Sequence, residues 1–219
     1  MRTIRVTGKG KISVKPDLIR LDIDATGVYL NYEDTIRVSA EQTRVLKEYL
    51  EKAGLNPDDL KTTSFDINSA YESYYDEKNH YKQKFIGYEF RHETYIKFEN
   101  DNEILGKVLY QLSKCPVDMT FDIIHTISNP EEAKNELLRS AVEDAKIKSR
   151  ILADSSEVTL GDIISIDYSW SEVHFTSHPI QNFKLNSMIL EDSSSSYDID
   201  IEADDIDMDD TVTVIWEIK

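Results

Sequence analysis

An α+β fold, with a largely antiparallel sheet and helices packed on one face, is what this 219-residue sequence predicts, and three observations predict it. Short runs alternating apolar and polar residues recur along the chain. Three longer stretches carry apolar residues at three- and four-residue spacing. The order ββ-α-ββ-α-β-α-ββ lacks the regular strand–helix alternation of a parallel sheet.

Residues 3–8 and 11–15 read as two short extended runs joined at Gly8-Lys9-Gly10, a turn signal. After Pro16-Asp17, Ile19, Leu21, Ile23 and Ala25 alternate with Leu18, Arg20, Asp22 and Asp24, giving a strand with one buried face. A helix follows, capped by Asn31, with Glu33 and Asp34 at the positive end of its dipole. Ile36, Ala40, Thr43, Leu46, Leu50 and Ala53 form its predicted stripe, and Gly54 ends it. Residues 60–70 and 84–98 read as strands around a polar, tyrosine-rich hairpin tip over 71–81. A short helix to Ser113 is predicted, with Glu103 closing a capping box on Asn100, and then a strand over 117–127. Asn129, Pro130 and Glu132 start the clearest helix, 130–153, whose predicted face is Ala133, Leu137, Ala141, Ala145 and Leu152. Strands over 162–168 and 210–218 complete the order. Residues 171–196 show no period and hold four consecutive serines, which predicts a mobile loop.

Twenty-five basic against 42 acidic residues give a formal charge of −17. Such a field repels phosphate backbones and anionic lipid headgroups, so nucleic acid is excluded as a partner. No apolar run is long enough for a membrane-spanning helix, so no membrane insertion is expected. With one cysteine, Cys115, neither an internal disulfide nor a Cys-His metal cluster can form. The chain starts directly on a strand pattern without a secretory leader, which predicts a cytoplasmic protein.

Four stretches fall in one order: Ile4 to Gly10 with Val14-Lys15-Pro16-Asp17; Gly54-Leu55 and Asp59 to Thr62 with the tyrosine-bearing strand and Gly87-Tyr88; Ala141 to Lys146 through Leu152-Ala153 to Leu160-Gly161-Asp162-Ile163; and Asp210 to Ile218. Together they resemble the SIMPL family, bacterial proteins of unknown molecular function described as kinase-interacting, outer-membrane immunogenic or oxidative-stress-defence proteins. The resemblance implies one SIMPL-like α+β domain over 1–219, with room for two subdomains meeting near 99–116. It also implies a homo-oligomer, a link to stress response and no established catalytic residues. Most of the family is exported. The serine run and the acidic segment before the last strand depart from its pattern.

No residue set points to catalysis, so the chain is read as non-enzymatic and without a cofactor. Gly8-Lys9-Gly10-Lys11 lacks the strand-to-helix context of a phosphate loop. Cys115 reads as a buried or half-buried free thiol, with peroxide sensing its functional alternative. Of five histidines, only His174 and His178 have a ligand-like spacing, and Pro179 argues against a helix there; surface histidines are expected. Asp198, Asp200, Glu202 and Asp204 begin an acidic run that could offer oxygen ligands to calcium; the simpler reading is a charged edge that resists aggregation. A small-ligand or cation-binding module built on 198–210 is the alternative function. Tyr71, Tyr74, Tyr75 and Tyr81 are the interface candidates, for a second copy or another protein, because tyrosine joins apolar area to a hydrogen-bonding tip.

Overall fold

The computed structural model describes residues 2–168, 175–183 and 201–219. Their order is β1 (Thr3–Val14), β2 (Leu18–Tyr29), α1 (Tyr32–Lys52), a one-turn helix (Pro57–Asp59), β3 (Lys61–Tyr75), β4 (Tyr81–Glu99), α2 (Asn102–Ser113), β5 (Met119–Thr126), α3 (Pro130–Ser155), β6 (Leu160–Asp167), β7 (Thr176–Phe183) and β8 (Ile206–Ile218). The predicted α+β class holds, with the strands divided between a three-stranded sheet, β1-β8-β6, and a five-stranded sheet, β3-β4-β2-β5-β7. Strand pairs β1–β8, β6–β8, β2–β4 and β3–β4 are all antiparallel. Most of the predicted loop over 171–196 lies outside the described residues, but Thr176–Phe183 within it is strand.

The chain divides into two compact units, each discontinuous in sequence. The first joins Met1–Asp17, Thr126–Ser177 and Asp204–Lys219; the second joins Leu18–His125 and His178–Ala203. The stretch near 99–116, where the sequence places a junction of subdomains, lies inside the second unit.

In the first unit β1 is one unbroken strand, not two runs joined by a turn. It pairs with β8 from Thr3↔Glu217 to Val14↔Ile206. Gly8 and Gly10 lie two residues apart and so share the face that meets α3. A Cβ on Gly8 would sit 2.1 Å from the Ala141 carbonyl oxygen and 2.5 Å from the Ala145 nitrogen; one on Gly10 would sit 2.2 Å from the Leu137 oxygen. The glycines therefore serve close approach of a helix backbone. Ala141 and Ala145 supply the matching small face, buried with Val6, Val212, Val214 and Trp216. The α3 cap is as predicted: the Glu132 amide donates to Asn129 Oδ1 at 3.1 Å, and Asn129 Nδ2 donates to the Glu132 carboxylate at 2.9 Å. Leu152 is exposed and Ala153 is buried in its place, because the contact stripe drifts around the helix along Ala145, Ser149 and Ala153. Asp17 accepts the Ser128 amide at 2.6 Å and the Ser128 hydroxyl, tying the end of the first strand to the turn before α3.

In the second unit α1 and α2 cover one face of the larger sheet. Ile19, Leu21 and Ile23 of β2 meet Leu46, Leu50, Leu105, Val108 and Leu112 in its main core. The α1 stripe starts one residue earlier than predicted: Thr35 and Ser39 are buried, Ile36 and Ala40 exposed. Burial of these hydroxyls is tolerated because Thr35 donates to the Asn31 carbonyl and Ser39 to that of Ile36, both at 2.9 Å. Gly54, at φ +92°, closes α1, donating to the Glu51 carbonyl while Leu55 donates to that of Leu50. The α2 cap is Asp101 rather than Asn100; its Oδ1 accepts the Glu103 amide at 2.7 Å and the Ile104 amide at 3.2 Å.

Candidate functional site

The predicted polar tip over 71–81 is mostly strand. β3 runs to Tyr75 and β4 begins at Tyr81, leaving only residues 76–80 as the turn. Tyrosine favours strands strongly enough to carry the pairing through a polar segment. The pairing of β2 with β4 stops at Tyr29↔Tyr88. Beyond it, Ala70–Tyr75 and Tyr81–Gly87 pair, among the described residues, only with each other, forming a two-stranded arm about 20 Å long at ~3.4 Å per residue. Gly87 forms its root. At φ +142° a Cβ there would lie 2.3 Å from the Tyr29 carbonyl oxygen, and the register shifts opposite it between Ala70 and Tyr71.

Directly paired residues share a face of a sheet. One face of the arm therefore carries Tyr71 with Phe85, Ser73 with Gln83, and Tyr75 with Tyr81; the other carries Glu72 with Lys84 and Tyr74 with Lys82. On the first face Tyr71–Phe85 and Tyr75–Tyr81 meet edge to face at 5.6 and 5.8 Å. Phe85 continues to Tyr88 at 5.4 Å, and Tyr88 to Tyr32 at the start of α1 at 5.4 Å. The Ser73 and Tyr81 hydroxyls share a hydrogen bond of 2.8 Å. Asp76 organises the turn: Oδ1 accepts the Lys78 and His80 amides at 2.9 and 3.0 Å, and Oδ2 pairs with Lys82 at 2.9 Å. The Lys82 ammonium, then the His80 amide, hold the Asp76 carboxyl below its ordinary value.

All four predicted interface tyrosines lie on this arm and stand 44–67% exposed. With Phe85, and taking 150–250 Å² per aromatic side chain, they leave on the order of 500 Å² of ring surface in water. Sequence reasoning missed Phe85 and Tyr32, which only the pairing register and the start of α1 bring alongside the tyrosines.

The other candidates are dispersed. Asp198, Asp200 and His174 lie outside the described residues, while Glu202 and Asp204 are exposed. Three later acids of the run serve the three-stranded sheet: Ser13 donates to Asp207 at 2.6 Å, Lys9 pairs with Asp209 at 2.9 Å, and the Tyr168 hydroxyl donates to buried Asp210 at 3.0 Å. Among the described residues no three His, Cys, Asp or Glu side chains gather where a metal ion could be held. Cys115 is half-buried, and loss of hydration pushes its thiol up from its ordinary value.

Two histidines depart from the predicted surface setting. His125 is fully buried, and burial holds its imidazole below the ordinary value. His92 bridges Thr43 at 3.1 Å and Thr62 at 2.9 Å. Thr43 already donates its proton to the Ser39 carbonyl, so His92 Nδ1 carries the hydrogen of that contact. One cleft of about 390 Å³ lies on the larger sheet. Its charges are largely satisfied internally, with Arg20 on Asp22 at 2.7 Å and Arg91 on Asp24 at 2.6 Å and Glu93 at 3.2 Å.

No helix among the described residues is long and apolar enough to cross a membrane. A family model described as SIMPL, protein of unknown function (DUF541), matches residues 4–216. The chain is also similar to the 26 kDa periplasmic immunogenic proteins of Brucella abortus (strain S19) and Brucella melitensis biotype 1. Identity is 26% and 25% over 217 residues, covering 99% of this chain and 84% of each relative. Both relatives are named periplasmic, which overturns the cytoplasmic expectation; that expectation rested on the strand pattern at the start of the sequence, which carries no information about compartment. The family match spans nearly the whole sequence, and this chain belongs to the SIMPL family.

Proposed function

We propose that this protein is a non-enzymatic, self-assembling component of the periplasm that acts through protein contacts, with the β3–β4 arm as its assembly surface. One observation carries the reading: a two-stranded ribbon, unpaired on either side among the described residues, bears an exposed face of four aromatic rings. An isolated hairpin is marginal in water, and an aromatic patch of this size is costly to leave wet. Covering the rings with another protein surface removes both costs. The periplasmic relatives support the compartment; a part in stress defence is only what the resemblance of the sequence implies.

Native mass by size-exclusion chromatography with light scattering, across a tenfold concentration range, tests the proposal. A discrete multimer that falls to single chains in the Tyr75→Ser/Tyr81→Ser variant is expected. A wild-type monomer at every concentration, or a multimer indifferent to these substitutions, overturns it. Steady turnover of a general hydrolase or oxidoreductase substrate panel at a preparation-independent rate would remove the non-enzymatic part.

A further inference from the structure

Among the described residues His125 alone has every polar side-chain atom both buried and unpaired: no part of it is exposed, and neither ring nitrogen meets a hydrogen-bonding partner. It stands near the end of β5, on the face that carries Phe121 and Ile123 into the main core of the larger sheet. That core offers no counter-charge. Ile19 and Leu21 enter it from β2, Leu46 and Leu50 from α1, and Leu105 and Leu109 from α2; no buried residue of either helix is ionisable. The ionisable groups of the neighbouring strands are turned away or engaged. Arg20, Asp22, Asp24 and Asp122 line the cleft on the other face, and His92 of β4 is held between Thr43 and Thr62. Asp17, before β2, holds the Ser128 amide and hydroxyl. The sequence gives β7 one ionisable residue, His178, which can bring no negative charge.

An imidazolium carries two N–H donors, and both need acceptors. A charge set in this core would have neither acceptors nor an anion, so a proton reaches the ring only in a form that wets it. Sheet order shows which form lies nearest. Only β7 stands outside β5, so parting the β5–β7 edge opens the core beside His125 while β3, β4 and β2 stay paired. We propose that His125 is an acid-sensitive latch, which keeps this edge of the larger sheet closed while neutral and lets it part on taking up a proton. Burial holds the imidazole below its ordinary 6.5 in the closed form, and wetting restores that value. The closed form therefore keeps its full share of stability above pH 6.5 and loses it as pH falls from there toward the lower value. The closed-to-open ratio drops by up to about tenfold per pH unit over that window. The latch is separate from the aromatic arm and works whether or not the chain self-associates.

Hydrogen exchange read by mass spectrometry from about pH 7.5 to about pH 5.5, corrected for the intrinsic rate at each pH, tests this on the intact protein. Peptides covering Met119–Thr126 are expected to lose protection below pH 6.5, by up to about tenfold per pH unit, while peptides of α3 keep theirs. His125→Leu is expected to abolish the loss, because the side chain is then neutral throughout; His125→Gln replaces it if leucine does not fold. Protection in β5 that stays constant across the range in wild type overturns the proposal, and that result needs no variant. A loss shared equally by α3, or one that a folded variant retains, overturns it as well. Where neither variant folds, confinement of the wild-type loss to β5 decides.

Discussion

Replacing Gly8 by alanine adds a single carbon to an exposed-looking N-terminal strand, yet the contacts of that carbon make it a severe change. The added Cβ would start 2.1 Å from the Ala141 carbonyl oxygen, 2.5 Å from the Ala145 nitrogen and 2.7 Å from the Ala145 Cβ. Real contacts of this kind do not fall below about 3.0 Å, so strand and helix must separate by roughly 0.9 Å. Two of the three atoms are backbone, so no rotamer change relieves the clash. A gap of 0.5–1 Å forfeits roughly a quarter to a half of each dispersion contact it opens. Here it opens the layer in which Ala141, Ala145, Val6, Val212 and Val214 are buried. Overpacking alone costs about 1–3 kcal/mol, and with the lost helix contact about 3–4 kcal/mol is expected. Urea unfolding followed by far-UV circular dichroism reads the change. Gly54→Ala is the control: nothing lies within 4 Å of its Cβ, and only the left-handed backbone at φ +92° opposes it, at a cost of about 1–2 kcal/mol. If Gly8→Ala costs less than its control, the close-approach account of the Gly-Lys-Gly signature is wrong.

Asp101→Ala removes the side-chain acceptor for two amides at the start of α2 and should cost about 1 kcal/mol in the same assay. The Lys148 ammonium, then the Lys9 amide, hold the Asp144 carboxyl below its ordinary 3.8. A carboxyl lower in the folded than in the unfolded chain stabilises above the unfolded value and loses that contribution as pH falls through the folded one. Stability measured from pH 5 down to pH 2 should therefore drop, and Asp144→Asn should lose the Asp144 share of that drop. Cys115, its thiol pushed up by burial, should react slowly with a thiol reagent at pH 8 and at the free-cysteine rate in urea; fast reaction of the folded protein would contradict its described setting.

Strand alternation and helix caps were legible wherever one residue decides one local geometry, as with Ile19, Leu21 and Ile23 in β2, or Asn129 and Pro130 before α3. Gly8 and Gly10 misled because a turn and a helix crossing a strand impose the same local demand, the absence of a Cβ. Only the distant alanines of α3 separate the two cases. The α1 stripe slipped by one residue because buried Thr35 and Ser39 satisfy their hydroxyls on their own helix, which makes polar residues acceptable where apolar ones were expected. The tyrosines of the arm were visible as a cluster. Their arrangement on one face was not, since it depends on the register shift opposite Gly87.

The pairing of β1 with β8 joins the first strand to the last, more than 190 residues apart. During synthesis β1, with its lysines and bare backbone, has no β8 to pair with until residues 206–218 have been made. The first unit therefore cannot close before β8 is made, and contacts of such long sequence separation also slow its folding.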